Sequence, residues 1–402
     1  MNILHISAQK PDSTGSGVYL YETVASLARQ GHTQAVIAGI GPEDTPAFPE
    51  GVLFRPVRFE TDELPFPVCG MSNVMPYRAT RYMDLTPQMT EQFKAAFRAA
   101  LGDVTARSVP DLVICHHLYL MSATIVEHIA ELAEANPDWA ACTVCGLSHS
   151  TDIRQMRQIP LERDFIRRGI GKLDRIYALH EAQADEIAEV YGVDPQKIRV
   201  VGTGYNANIF HVHPELQSDG TARVVYVGKI YRKKGVESLI RAFASVVKRI
   251  PEAQLVLVGG YNDQQEYDGI VELAQKLELP AEFAGRLPQE RLIEEYCTAD
   301  VFVLPSFFEG LPLVAVEALA CGCKAVLTDL PGLAPWIGTY VEGGYIEYVE
   351  PPRMRNVDTP IDSDLPAFED RLADALVRAL KAPHTPCDTS RVSWDALATR
   401  LL

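Results

Sequence analysis

Short runs of apolar, largely β-branched residues alternate with stretches of helical periodicity along nearly the whole chain, and the series occurs twice. The first set of runs falls at 2–8, 35–40, 111–117, 141–149, 175–180 and 198–204. Between them, 17–30, 118–134 and 181–191 carry apolar residues at helical spacing. Strands that are apolar on both faces need cover on both faces, which a parallel sheet with crossover helices supplies. The series restarts at 223–229, 254–259, 281–285, 301–306 and 324–328. The stretch 205–221, with His211, His213, Pro214, Ser218, Asp219 and Gly220, loses the apolar period and reads as the join. The expected organisation is a first α/β domain at 1–208, a linker at 209–221, a second α/β domain at 222–385, and a tail at 386–402 ending in a short helix around Trp394. The halves share no fixed sequence period, which excludes a repeat array.

The chain has 402 residues, 47% of them hydrophobic, enough for two ordinary cores. Its formal charge of -16 opposes binding to nucleic acid or anionic lipid, which reward clustered Lys and Arg. A local basic patch leaves peripheral membrane contact open. The N-terminus runs directly into a strand pattern without a basic n-region, and charged residues interrupt every apolar run short of a membrane span, so the chain reads as cytoplasmic. The eight cysteines are expected as reduced thiols, Cys142 and Cys297 in apolar surroundings and Cys321 and Cys323 as packing residues.

Two segments depart from the pattern. Residues 54–85 are rich in Pro, Met and aromatics and poor in periodicity, a long excursion of the kind that is usually functional, and they are the candidate acceptor wall. Residues 382–402 lead through a Pro-containing linker to the Trp394 helix, expected to dock on the first domain.

The stretch F-E-G-L-P-L-V-A-V-E-A-L-A-C-G, Phe308 to Gly322, is the most informative. Pro312 suits the first position of a helix that is apolar on every side except at Glu317. A carboxylate in such a helix costs several kcal/mol unless something holds it. Glu309 precedes the helix, and Glu317 lies about 7.5 Å along it from Pro312. Two carboxylates flanking free N–H groups at a helix mouth match a nucleotide-sugar, whose hydroxyls donate and whose diphosphate accepts. The bland alternative is a structural Glu bonded to backbone.

Lys229, Arg232, Lys233 and Lys234 form a cationic cluster after a strand, suited to a diphosphate leaving group or, more plainly, a solvated turn. The loop G-S-G-V-Y at Gly15 to Tyr19 suits a phosphate or an ordinary tight turn equally. His149 ends a strand in L-S-H-S-T-D with Asp152 three residues on, and His116 and His117 end another. Cys142, Cys145 and His149 do not make a zinc site, because strand alternation sends the two cysteines to opposite faces.

These stretches together resemble the retaining GT-B glycosyltransferases of family 4. Phe308 to Gly322 matches the Glu-x7-Glu signature, and the glycine loop, S-H-S-T-D, V-G-T-G-Y-N-A-N-I-F at Val201 to Phe210, K-I-Y-R-K-K-G and F-A-G-R-L-P follow in the family's order over nearly the whole chain. The resemblance implies two Rossmann-like domains with parallel sheets facing an interdomain cleft, and no metal or other cofactor. By position Glu317 would hold the ribose hydroxyls. Glu309 and the backbone of Gly310, Leu311, Pro312 and Leu313 would hold sugar and phosphates. Lys229 and Lys234 would meet the diphosphate, the backbone around Arg286 the base, and Gly15 and Gly17 the donor. His149 would sit against the sugar, so that Glu309, His149 and Lys234 are the catalytic candidates, with Asp152 and His117 on the acceptor side.

The expected reaction transfers a hexose or N-acetylhexosamine from a UDP-sugar to an acceptor that is a small molecule, a glycan or a lipid-linked glycan. The alternatives are a nucleotide-sugar-binding protein of the same fold without turnover, and a hydrolase or epimerase. Three departures from the family stand out: Lys229 where Arg is usual, Lys324 where Pro commonly follows, and Tyr205-Asn206 in place of Asn-Gly-Val-Asp.

Overall fold

The computed structural model describes residues 1–72, 75–106, 108–216, 220–309, 312–356 and 358–402. The chain divides into two compact units, one of Met1–Thr203 with Leu397–Leu402, the other of Gly204–Ala396.

The first unit is built on seven strands: β1 (Asn2–Ser7), β2 (Thr33–Ile40), β3 (Leu53–Arg58), β4 (Leu112–His116), β5 (Thr143–Leu147), β6 (Arg175–Ala178) and β7 (Ile198–Val200). Their order is β3-β2-β1-β4-β5-β6-β7 and every pairing is parallel. Central β1 buries residues from both faces, Ile3, Leu4 and Ile6, as an internal parallel strand must. The helices are α1 (Gly15–Arg29), α2 (Pro87–Thr105), α3 (Leu120–Ala135), α4 (Thr151–Gln158), α5 (Arg163–Gly171) and α6 (Glu181–Tyr191). Thr14 and Thr86 cap α1 and α2, and Pro87 opens α2 where its missing N–H is harmless.

The excursion at 54–85 is corrected in two respects. Its first residues belong to edge strand β3, where Pro56 is tolerated because an edge spares one ladder bond. Much of the remainder is core: Phe59, Leu64, Phe66, Val68, Met71 and Tyr82 are buried, and Gln155 Nε2 donates to the Met71 carbonyl at 2.8 Å. A segment so deeply packed is a structural part of the first unit more than an exposed wall. Asn73 and Val74 within it lie outside the described residues.

The second unit carries β8 (Arg223–Val227), β9 (Gln254–Val258), β10 (Ala281–Gly285), β11 (Val301–Leu304), β12 (Lys324–Thr328) and β13 (Ile346–Val349) in the parallel order β10-β9-β8-β11-β12-β13. Strand β13 was not expected; its half-buried, Glu- and Tyr-containing sequence lacks the apolar run of its neighbours. The helices are α7 (Val236–Arg249), α8 (Gln264–Lys276), α9 (Gln289–Thr298), α10 (Leu313–Ala320), α11 (Leu333–Tyr340) and α12 (Leu365–Lys381), and the chain ends in α13 (Trp394–Leu401), whose residues from Leu397 on count with the first unit. Helix α7 buries Val236, Leu239, Ile240, Phe243 and Val246, one face at helical spacing. The segment expected as linker contributes to this core through Phe210, with Ile209 and Leu216 packed against it.

Trp394 is buried, with its ring where a Cβ on Gly204 would come within 2.6 Å. The last residues are tied to the first unit: Tyr177 OH donates to the Leu401 carbonyl at 2.7 Å and Arg400 Nη2 to the Val201 carbonyl at 3.0 Å. No helix among the described residues is long and apolar enough to cross a membrane.

In both sheets the strand order reverses once, between β1 and β4 and between β8 and β11. Open α/β sheets bind ligands beyond the carboxyl ends of the strands at such a switch point. The loops there are Ala8 to Thr14 and His117 to Tyr119 in the first unit, and Gly228 to Gly235 and Pro305 to Glu309 in the second.

Candidate functional site

In the second unit the two switch-point loops are brought together by a glycine. Gly235 ends the turn Arg232–Lys234 at φ +68°, and a Cβ there would stand 2.0 Å from the Pro305 carbonyl oxygen. Only a residue without a side chain permits that approach. The approach places Lys234 beside Glu309: Nζ lies 2.6 Å from Glu309 Oε1, and Ser306 Oγ donates to the same oxygen at 2.7 Å. Both charged side chains are largely shielded, at 22% and 15% exposure, so the pair is stronger than a surface ion pair. Ser306 is the residue sequence reasoning missed here; it is fully buried, and nothing in its spacing marked it.

The cationic cluster resolves into two classes. Arg232 is paired with Asp362 at 2.7 Å and Lys233 with Asp358 at 2.8 Å, so acidic residues far along the chain already engage them. Lys229 is exposed, on a loop whose backbone is fixed by Tyr226 OH donating to the Lys229 carbonyl at 2.8 Å. Lys234 is likewise paired, with Glu309, but that partner lies at the switch-point loop and not on a distant acidic segment.

Helix α10 begins at Leu313, one residue later than expected, because Pro312 has an extended ψ of 100° and serves as N-cap. No side chain caps it, and of its first-turn amides Ala315 N donates to the Pro312 carbonyl at 3.1 Å. Gly310 and Leu311 lie outside the described residues. Glu317 sits one turn into α10 among buried Ala315, Val316, Ala318 and Leu319. Its carboxyl is hemmed in, although the residue keeps part of its surface, and its hydrogen bond from Tyr296 OH is long, 3.4 Å to Oε2. Burial pushes the carboxyl up to about 7, with the Tyr296 contact opposing the shift. Tyr296, on α9, is a second residue the sequence did not reveal. Exposed Arg286 follows β10, and its guanidinium runs over Gly260, where a Cβ would meet Nε at 2.3 Å.

In the first unit, the carboxyl ends of β4 and β5 gather three imidazoles. His116 Nδ1 lies 3.2 Å from His149 Nε2 with the rings stacked at 13°, and His117 is 4.6 Å from His149 between centroids. Tyr19 of α1 meets His149 edge-on at 5.3 Å. Burial is the first cause holding His116 and His149 well below the ordinary imidazole value, and it lowers His117 to about 4. All three are therefore neutral near pH 7, able to share hydrogen bonds without carrying charge.

Asp152 is corrected. Expected on the acceptor side, it is fully buried, and its carboxylate already receives hydrogen bonds from the amides of Leu118 (2.7 Å), His149 (3.3 Å) and Ile153 (3.1 Å) and from Ser148 Oγ (2.9 Å). It organises the turn from β5 into α4. His117 is likewise buried, with a left-handed backbone at φ +70°. Gly15 stands open, whereas Gly17 is required for packing: a Cβ would meet the Lys10 carbonyl oxygen at 2.8 Å. The Gly17 amide is already bonded to Thr14 Oγ1 at 3.1 Å and so is not free for a phosphate.

Residues 14–204 match the family model described as glycosyl transferase 4-like domain, and residues 210–352 the model described as glycosyl transferases group 1. Among curated proteins the chain is similar to the D-inositol 3-phosphate glycosyltransferase of Segniliparus rotundus, 28% identical over 410 residues that cover 97% of this chain and 84% of the relative. It is similarly 28% identical to the protein of that name from Nocardia farcinica over 345 residues, 80% of this chain and 71% of the relative. Of solved structures, sucrose-phosphate synthase from Thermosynechococcus elongatus matches with a TM-score of 0.61 at 20% identity, covering 100% of this chain and 97% of that one. Anabaena HepE in complex with UDP matches with a TM-score of 0.61 at 13% identity, covering 100% and 98%. The two-domain fold of parallel sheets is that of the GT-B glycosyltransferases.

Proposed function

We infer the reaction from one premise: this chain is a glycosyltransferase, made of a glycosyl transferase 4-like domain and a glycosyl transferases group 1 domain. The proposed reaction moves a hexose or N-acetylhexosamine from UDP to an acceptor hydroxyl with retention at the anomeric carbon. Glu317 takes the ribose hydroxyls, Glu309 the hydroxyls of the transferred sugar, and Lys229 and Lys234 the departing diphosphate. The observation that carries this reading is Glu317: an acid in an apolar helix, pushed up to about 7 and given one long hydrogen bond by the protein, is an acceptor suited to a ligand's diol.

On this reading the acceptor oxygen attacks the face the leaving group vacates, and an oxygen of the leaving phosphate takes its proton. The protein's contribution is placement and charge stabilisation of the diphosphate. Gly235 lets Lys234 lie beside Glu309, and on this reading a ligand phosphate would draw it away, freeing the carboxylate to accept from the sugar. Neutral His149 suits a hydrogen bond to the sugar and is not suited to protonate a leaving group. Inositol phosphate is the first acceptor to test, because the relatives that align over most of this chain bear that name.

Titration of the purified protein with UDP, ADP and GDP tests the donor site; binding by UDP is expected, and no binding by any of the three overturns the reading. Product analysis with UDP-glucose, UDP-N-acetylglucosamine and UDP-galactose, with and without inositol phosphate, separates transfer from hydrolysis.

A further inference from the structure

We propose that His116 is a positioning residue for His149: His116 donates from Nδ1 to His149 Nε2 and so holds His149 in its Nδ1–H tautomer, presenting that N–H to an oxygen of the ligand. The two residues close adjacent parallel strands, His116 as the last residue of β4 and His149 two residues past β5. Their facing nitrogens lie 3.2 Å apart and the ring planes differ by only 13°, the side-by-side arrangement in which one proton is shared. Burial keeps both rings neutral, so one must donate and the other accept.

The enclosed side of His116 decides which. Its Nε2 is sealed from solvent and has no hydrogen-bond partner among the described residues. Were Nδ1 to accept from His149, the proton of His116 would lie on Nε2 as a buried N–H without an acceptor, which folded proteins rarely tolerate; a bare nitrogen there costs less. The imidazole on that side is His5, and its own tautomer is fixed. Gln34 donates through Nε2 to the Val24 carbonyl at 2.9 Å, so Gln34 Oε1 accepts from His5 Nε2 at 3.1 Å and His5 Nδ1 is left bare. The His5 and His116 rings stand 6.1 Å apart and tilted by 42°, against 5.4 Å for the bonded pair, and His5 Nδ1 is likewise enclosed without a partner. No acceptor therefore reaches His116 Nε2, and the proton sits on Nδ1.

His149 is thereby held out of the Nε2–H form that free imidazole prefers. Its Nδ1 has no protein partner among the described residues and, unlike His116 Nε2, is not sealed from solvent. The ring is held in place by Tyr19, which meets His149 edge-on at 5.3 Å and His116 at 6.4 Å while its hydroxyl donates to the Gly202 carbonyl at 3.2 Å. The backbone is fixed as well: the His149 amide donates to Asp152 at 3.3 Å, and Ser150 is kept at a left-handed φ of +67°, a strain that persists only where the surroundings impose it. His149 thus offers a ligand one donor and no acceptor, which suits a hydroxyl oxygen and excludes service as a general base while the His116 bond stands. That the oxygen belongs to the transferred sugar rests on the proposed function; the tautomer does not.

Long-range proton–nitrogen NMR correlation on the full chain carrying isotope-labelled histidine reads the tautomers, with the two rings assigned by the signals lost in His116→Asn and His149→Gln. Protonated Nδ1 and bare Nε2 are expected at both residues; a His149 protonated on Nε2 overturns the proposal. His116→Phe fills the space without a donor and should return His149 to its Nε2–H form. The same variant should lower kcat/KM for UDP-glucose about tenfold while leaving the affinity for UDP, which lacks the sugar, unchanged. His116→Asn places an amide donor where Nδ1 stood and should keep kcat/KM within about threefold of the parent. Unchanged kcat/KM in His116→Phe, or a loss in His116→Asn as large as that in His116→Phe, refutes the positioning role. If the parent transfers no sugar, the donor reading fails, whereas the tautomers of the parent still decide the proposal.

Discussion

Replacing Glu317 by Gln separates the energetic cost of this side chain from its use. Burial raises the carboxyl from its ordinary 4.5 to about 7, so the folded protein holds a proton that the unfolded chain has already lost between those values. Stability then falls as pH rises through that window and levels off above 7. At 1.36 kcal/mol per pH unit the full cost of the charged side chain at pH 8 is about 3 kcal/mol, and at pH 5 it is under about 1 kcal/mol. Glu317→Gln, a neutral isostere, should therefore be about 3 kcal/mol more stable than the parent at pH 8 without ligand, converging toward it by pH 5. Urea unfolding of both proteins across pH 5 to 8 measures this, and every other titrating group cancels in the difference. The same variant should bind UDP-glucose about tenfold to a hundredfold more weakly, because an amide replaces a charged acceptor of the ribose diol. Parallel stability curves, or a variant less stable than the parent at pH 8, would refute the argument.

Lys234→Ala removes the partner of Glu309 and the proposed contact to the leaving diphosphate, and should lower kcat about a hundredfold with a smaller change in KM, read from initial rates. Gly235→Ala forces a Cβ against the Pro305 carbonyl in a left-handed backbone and should destabilise the second unit by about 3 kcal/mol in urea unfolding. Asp152→Ala leaves buried amides of Leu118 and Ile153 without an acceptor and should destabilise the first unit by about 3 kcal/mol in the same assay. His5 and His117, both lowered to about 4 chiefly by burial, stay neutral when folded while the unfolded chain protonates below 6.5. Stability of the first unit should thus fall as pH drops from 6.5 toward 4, by about 2 kcal/mol for each at pH 5; flat unfolding midpoints over that range would contradict it.

The sequence exposed those parts of the fold that depend on local period. Buried strands β8, β9 and β12 announce themselves as apolar runs because both faces are covered, and α6 was placed to the residue. Edge strand β3 and strand β13 stayed hidden, since their half-buried positions admit Arg, Pro, Glu and Tyr. At the site, Glu317 was legible because an acid breaks an otherwise apolar helix. Tyr296 was not, because it acts through a contact between helices that no local pattern encodes, and Ser306 was not, because a serine three residues before an acid is too common a pattern to mark one. Asp152 shows the reverse error. A carboxylate just past a strand suggests a ligand, yet four donors within the protein had already claimed it.

The two glutamates around the start of α10 are prepared in opposite ways. Glu309 is already engaged by Lys234 and Ser306 before any ligand arrives. Glu317 has no cation among its contacts within the described residues and is driven toward its neutral form, so much of its charge must be restored by what binds. On the proposed reading a nucleoside alone gains from relieving Glu317, whereas a diphosphate must also compete with Glu309 for Lys234. The sugar hydroxyls are what make that exchange favourable, because they give Glu309 new donors as its lysine departs. Sites with this division bind the intact donor better than the sum of its parts suggests, and they hold the released diphosphate less tightly once the sugar has gone, since Glu309 can then take Lys234 back.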